Sequence, residues 1–161
     1  MIAAIIDDLK FYGGRSPGGV LLTILFKQAF HLMVNYRLGR FIYTHRFPGS
    51  GFFIMLLKRR QLSRYACYFS CAATIGQRLN LPHPIGIVIG EICRVADGVT
   101  LYQQCTLGQH HGGYPTIETG VVIYPGSMVV GDIHLGREAT IGAQSFVNKS
   151  VPPGTKYYRK A

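Results

Sequence analysis

The sequence predicts a mainly β fold: a parallel β-helix wound from six-residue repeats, with a short α-helical region ahead of it. Two observations carry this expectation. An aliphatic residue recurs at every sixth position through the C-terminal half, and 13 of the 20 glycines fall in residues 75–161. A third observation separates the two regions. Residues 1–74 hold ten Lys and Arg against two acids, Asp7 and Asp8, whereas residues 75–161 hold seven against five. The chain of 161 residues carries a net charge of +10, 48% hydrophobic and 15% charged residues. That balance excludes a disordered polar chain. The absence of a Gly-X-Y period excludes collagen, and recurrent Gly and Pro exclude a coiled coil.

In chain order, Pro17-Gly18-Gly19 reads as the close of an N-terminal loop. Leu22, Phe26, Ala29, Phe30, Met33, Leu38 and Phe41 then recur at helical spacing from Val20 to about Thr44. Pro48-Gly49-Ser50-Gly51 is a turn, and Gly51 to about Tyr65 has the apolar start and basic end that suit a helix dipole. Two or three helices are expected, with residues 1–66 as the helical region and 67–161 as the repeat domain.

The repeats begin at Ile75, Leu81 and Ile87. Two extra residues are read after Ile87, and the register resumes at Val95, Leu101 and Leu107. The segment Gln109-His-His-Gly-Gly-Tyr-Pro-Thr116 interrupts it. Ile117, Ile123, Val129, Leu135, Ile141 and Val147 then hold one phase without a break. Each unit is a short strand and a turn, three units close a triangular coil, and the leading aliphatics stack inward as a continuous core. A β-sandwich would space its strands at about 8–12 residues, which does not account for a strict six.

Cys67, Cys71, Cys93 and Cys105 form no CxxC and no zinc spacing. Without a basic leader at the start, they read as buried free thiols of a cytoplasmic protein. No apolar run reaches the ~18 residues of a membrane span. Apolar segments abutting basic clusters leave two readings open: packing on a protein core, or peripheral contact with an anionic membrane at its inner face. The +10 charge also raises nucleic acid as a partner. No RNP-like or helix-turn-helix signature accompanies it, so none is expected.

With these repeats in view, the chain resembles the hexapeptide-repeat acyltransferases, in their serine acetyltransferase-like branch. The resemblance covers residues 75–155. It is carried by His83-Pro-Ile-Gly-Ile-Val-Ile-Gly-Glu91, Val99-Thr-Leu-Tyr-Gln-Gln-Cys-Thr-Leu-Gly108 and Ile141-Gly-Ala-Gln-Ser145 with Val151-Pro-Pro-Gly154, and Tyr36-Arg37-Leu38-Gly39 is similar to an element of the branch's last helix. The family implies a left-handed β-helix, a homotrimer with active sites between neighbouring subunits, and acetyl-CoA as co-substrate with no metal. It implies His83 as the general base. A neutral imidazole suits that task, because the attacking hydroxyl must lose its proton as it meets the thioester carbonyl. Gly108 and Ala143 match positions where the family keeps small residues along the CoA groove. Lys149, Lys156, Arg159 and Lys160 are the basic residues available to its phosphates. A zinc site from His110 and His111 alone is not expected.

The sequence also departs from the branch. Pro82 replaces the Asp before the catalytic His, Tyr68 stands where an orienting Asp lies fifteen residues earlier, and Gly113 and Tyr114 replace an Arg-His pair. A serine zwitterion without charged partners is costly to bind. The expected acceptor is therefore a sugar hydroxyl, free, nucleotide-linked or lipid-linked, in exopolysaccharide or capsule biosynthesis. Tyr102, Tyr114, His110 and His111 are the expected acceptor contacts, one His doubling as an oxyanion donor. The alternatives are serine O-acetylation in cysteine biosynthesis and a trimeric scaffold without catalysis. The family's usual Gly-x-Pro-Ala turn does not follow Tyr157-Tyr158-Arg159-Lys160-Ala161, so further C-terminal residues are an open expectation.

Overall fold

The computed structural model describes residues 1–14 and 16–158. It is a parallel β-helix preceded by four helices. The helices are α1 (Ile2–Gly13), α2 (Pro17–Phe26), α3 (Gln28–His45) and α4 (Ser50–Tyr65). Two differ from expectation. Residues 2–13 form a helix that the sequence reading leaves out. Pro17-Gly18-Gly19 is not a loop but the first turn of α2, because Ser16 caps it by accepting the Gly19 N–H at 3.1 Å and Pro17 occupies the first helical position. At Lys27 the chain is extended, and α2 and α3 meet at 71°. No single described helix is long and apolar enough to cross a membrane.

The solenoid runs β1 (Tyr68–Phe69), β2 (Thr74–Ile75), β3 (Val88–Ile89), β4 (Arg94–Val95), β5 (Thr100–Leu101), β6 (Thr106–Gly108), β7 (Thr116–Ile117), β8 (Val122–Ile123), β9 (Met128–Val130), β10 (His134–Leu135), β11 (Thr140–Ile141), β12 (Phe146–Val147) and β13 (Lys156–Tyr157). All pairings between them are parallel and they form three sheets. The first has the order β1-β3-β6-β9-β12, the second β10-β7-β4-β2 and the third β13-β11-β8-β5. One inward side chain per strand stacks on its neighbours: Phe69, Ile89, Leu107, Val129 and Val147 in the first sheet, and Ile75, Val95, Ile117 and Leu135 in the second. Six-residue spacing thus converts a linear pattern into three vertical columns around one core.

The register locates the irregularity elsewhere than expected. Ile89, not Ile87, pairs with Phe69 and Leu107. The two extra residues therefore belong to the turn between Leu81 and Ile89, which contains His83. Ile87 and Ile89 are both fully buried, so hydrophobicity alone could not choose between them.

The helical region is fastened to the first coil by Tyr36-Arg37-Leu38-Gly39. The Tyr36 hydroxyl donates to Ala73 O at 2.8 Å and accepts the Ile75 N–H at 3.0 Å. Arg37 donates to Asp8 at 3.0 Å and to the carbonyls of Ile75 and Gly76. Gly39 lies so close to Cys71 that an added Cβ would sit 2.6 Å from its Sγ. Tyr12 of α1 donates to Leu79 O, and Gln61 of α4 accepts the Phe69 N–H at 2.7 Å.

Candidate functional site

His83 is exposed at the corner between the third and first sheets. Its expanded turn is pinned on both sides. Gly86 donates to Ala66 O at 2.9 Å and Gln104 donates to Ile85 O at 2.9 Å. Within the turn, Ile85 N–H donates to His83 O at 2.8 Å. Gly86 has φ 68°, a conformation glycine adopts without strain. Pro82 and Pro84 fix the flanking backbone, so the imidazole is carried out of the solenoid on a stiff arch. Among the described residues no carboxylate pairs with it.

The same corner carries an aromatic column. The Tyr102 ring centroid lies 6.5 Å from that of His83, and Tyr102 stacks on Tyr124 at 5.2 Å with planes 6° apart. The N–H groups of Tyr102, Tyr124 and Gly142 donate in turn to Ile123, Ile141 and Tyr157, so the three positions are in register on successive coils. Tyr158 lies over Gly142, where an added Cβ would meet its ring at 2.4 Å. Ala143, next to it, is exposed. Tyr124 was not singled out from sequence, since the six-residue pattern reports the inward column and not which outward side chains stack.

The other expected residues lie apart from His83 within the protomer. His110 and His111 occupy the loop at the corner between the first and second sheets, with ring centroids 4.0 Å apart. The loop closes on itself through paired His110 and Gly113 backbone hydrogen bonds of 3.1 Å. Its Tyr114 ring packs over Gly90, and Gly113 lies against Asp132. Gly108 sits on the first sheet with room for a Cβ at ordinary contact distance, so packing does not demand glycine there. Lys149 and Lys156 are exposed. Arg159 and Lys160 lie outside the described residues.

The four cysteines are free and buried. Burial pushes the Cys93 and Cys105 thiols up to about 11, which leaves them without thiolate character near neutrality. Among the described residues, no three His, Cys, Asp or Glu side chains converge as a metal site would require.

No protein-family model matches the chain. Curated proteins do. It is 33% identical over 155 residues to the serine acetyltransferase of Buchnera aphidicola, covering 92% of this chain and 56% of that protein. It is 31% identical over 166 residues to the serine acetyltransferase of Staphylococcus epidermidis, covering 96% and 74%. The chain thus spans little more than half of the first of these. Among solved structures, soybean serine acetyltransferase complexed with serine superposes with a TM-score of 0.86 at 26% identity over 98% of this chain and 66% of that one. A Brucella abortus serine acetyltransferase in complex with coenzyme A gives 0.86 at 28%, over 99% and 65%. These relatives overturn the expectation of a polysaccharide sugar as acceptor. The departures at Pro82, Tyr68, Gly113 and Tyr114 therefore do not carry the step to a different acceptor class.

Proposed function

We propose a function from one premise: this chain belongs to the serine acetyltransferase family of hexapeptide-repeat proteins. The reading is an acetyl-CoA-dependent O-acetyltransferase with the serine hydroxyl as acceptor and His83 as general base. The observation that carries it is His83 itself, exposed on a stiff arch with no competing hydrogen bond among the described residues. Its neutral imidazole takes the hydroxyl proton as the oxygen attacks the thioester carbonyl. The tetrahedral centre collapses with cleavage of the C–S bond, and the imidazolium returns the proton to the departing CoA thiolate. No acyl-enzyme is needed, in keeping with buried, high-pKa thiols.

The site reads best as shared between copies in a trimer. His83 and the His110–His111 loop occupy different corners of one solenoid, so they can face each other only across a subunit boundary. The outward column of the first sheet, which runs Val88, Thr106, Met128 and Phe146 on successive strands, is a largely apolar face suited to that contact. Glu91 and Asp132 flank the loop through Gly90 and Gly113 and supply the carboxylates an ammonium group needs. Tyr102 walls the base, and His110 or His111 serves as donor to the developing oxyanion. Gly108, Ala143, Lys149 and Lys156 remain the residues proposed for CoA. The free thiols fit a reducing, cytoplasmic setting.

The test is CoA release from acetyl-CoA with L-serine. His83→Ala is expected to lower serine-dependent turnover by roughly 10²–10⁴-fold, the scale of a lost general base. Unchanged turnover in that variant would remove His83 from the mechanism. No serine-dependent release by the unaltered protein would remove serine as acceptor.

A further inference from the structure

Independently of the acetyl-transfer reading, we infer that the tip of the α3–α4 hairpin is a docking surface for an anionic lipid bilayer. The tip carries four aromatic rings that the protein does not bury. Phe41, Phe47, Phe52 and Phe53 are exposed, the last two at 58% and 48%. Phe47, Phe52 and Phe53 form a cluster, with Phe47–Phe53 at 6.1 Å and Phe52–Phe53 at 5.9 Å, and Phe41 lies against His45 at 4.0 Å. Met55 and Leu56 extend the apolar surface along the next turn of α4.

Behind this end the same helix becomes basic. Arg59, Arg60 and Arg64 are exposed, and Arg59 and Arg60 follow Phe52 on the same outward face at helical spacing. At about 1.5 Å per residue they stand on the order of 10 Å behind the rings. That offset matches a side chain set at the acyl boundary with its cations among lipid phosphates. Among the described residues no ion pair engages Arg46, Lys58, Arg59, Arg60 or Arg64. The sequence supplies no nearby acid to do so: residues 9–90 contain eleven Lys and Arg and no Asp or Glu.

Charge complementarity selects the occupant. A second copy docked tip to tip would press cations against cations. A nucleic acid would satisfy the arginines but leave the phenylalanine cluster in water. A bilayer with acidic headgroups accepts both, the rings at the interface and the guanidinium groups at the phosphates.

Co-sedimentation of the full chain with phosphatidylcholine vesicles, with and without phosphatidylglycerol, tests this. Binding is expected only with phosphatidylglycerol and weakens at high salt. Arg59→Ser/Arg60→Ser should lower the affinity about 20-fold, at the strength of two headgroup-facing cations. Phe52→Ser/Phe53→Ser should lower it about tenfold or more through lost apolar insertion. Both variants should keep the circular dichroism and melting temperature of the parent, since these side chains pack on little. Vesicle binding that neither variant weakens would overturn the proposal. So would equal binding to uncharged vesicles, tighter binding to duplex DNA, or loss of self-association in the phenylalanine variant without any vesicle binding.

Discussion

The solenoid and the helical region bury their apolar residues in different ways. In the solenoid, Leu101, Leu107, Ile123, Val129 and Ile141 are fully enclosed by the coils directly below and above. Burial there is a nearest-neighbour property, set by repeat length. The helices have no comparable core of their own. Ala29, Leu32, Met33 and Tyr36 join the same buried cluster as the first coil, while Leu21, Leu22, Leu25 and Phe26 of α2 stay exposed. Helix α3 therefore behaves as a plug on the open end of the triangular core, the task a solenoid assigns to its terminal unit. The lesson is that the helical region is held by a seam rather than by internal packing, and the seam is where the two regions can be separated experimentally.

The largest expected effect is at Arg37. Its guanidinium and the Asp8 carboxylate are both buried. Arg37→Ala leaves that carboxylate alone and should cost about 3–5 kcal/mol, read as a fall in the urea midpoint. Asp8→Leu/Arg37→Met removes both charges and should recover much of the loss. The pH dependence sharpens the point. Burial holds the Asp8 carboxyl above its ordinary range despite Arg37. The folded state then keeps its proton longer than the unfolded state does, so this group's contribution falls as pH rises through the carboxylate range toward the raised value. Without Arg37 that value rises further, and the deficit of Arg37→Ala should be smaller at pH 5 than at pH 7. A deficit independent of pH would mean that the ionised pair does not hold the seam.

A smaller effect is expected where α3 touches Cys71. Gly39→Ala drives a Cβ into the buried Sγ and should cost about 1–3 kcal/mol, the range for overpacking. Cys71→Ala empties that space. In the Cys71→Ala background the alanine at position 39 should become neutral or stabilising, by the ~0.5–1 kcal/mol that alanine gains over glycine inside a helix. Additive effects of the two substitutions in a double-mutant cycle would show that this contact is not what limits the approach of α3 to the coil.

These two positions also mark how far the sequence could be read. The strict six from Ile117 to Val147 names nearly every inward residue, because a side chain's direction follows its place in the repeat. At the first coils the pattern is ambiguous, since Ile87 and Ile89 are equally aliphatic and only strand pairing assigns Ile89 to the column. The extra residues then belong to the turn that carries His83. Asp8–Arg37 could not be foreseen. The partners are 29 residues apart, and α1 itself was not expected. His83 stands out in the sequence through its surrounding motif, and the structure shows that side chain exposed. The stacking of Tyr102 on Tyr124 does not stand out there, because register between coils decides which outward side chains meet. The acceptor is not legible for a different reason: missing charges at positions 68, 82 and 113 report how a ligand is not held, and carry no information about which ligand it is.

The smallest expected effect lies on the outer face of the second sheet, where His134 Nε2 and a Glu118 oxygen are 2.9 Å apart. Glu118 also accepts the Arg137 N–H at 2.7 Å. The hydrogen bond from His134, and then that backbone contact, hold its carboxyl below the usual range. A lowered folded value contributes stability above the unfolded carboxylate range and loses it as pH falls through the lowered value. Both groups are open to water, where screening and side-chain entropy cancel most of the attraction. Glu118→Gln should therefore leave the melting temperature unchanged within error at neutral pH. An NMR titration of the Glu118 carboxyl in the unaltered protein is the sensitive readout, and its midpoint should lie below the usual carboxylate range. A substantial loss of melting temperature in Glu118→Gln would contradict the contrast drawn above, by placing a stabilising side-chain contact on the outside of a solenoid whose stability is otherwise carried by its inward column.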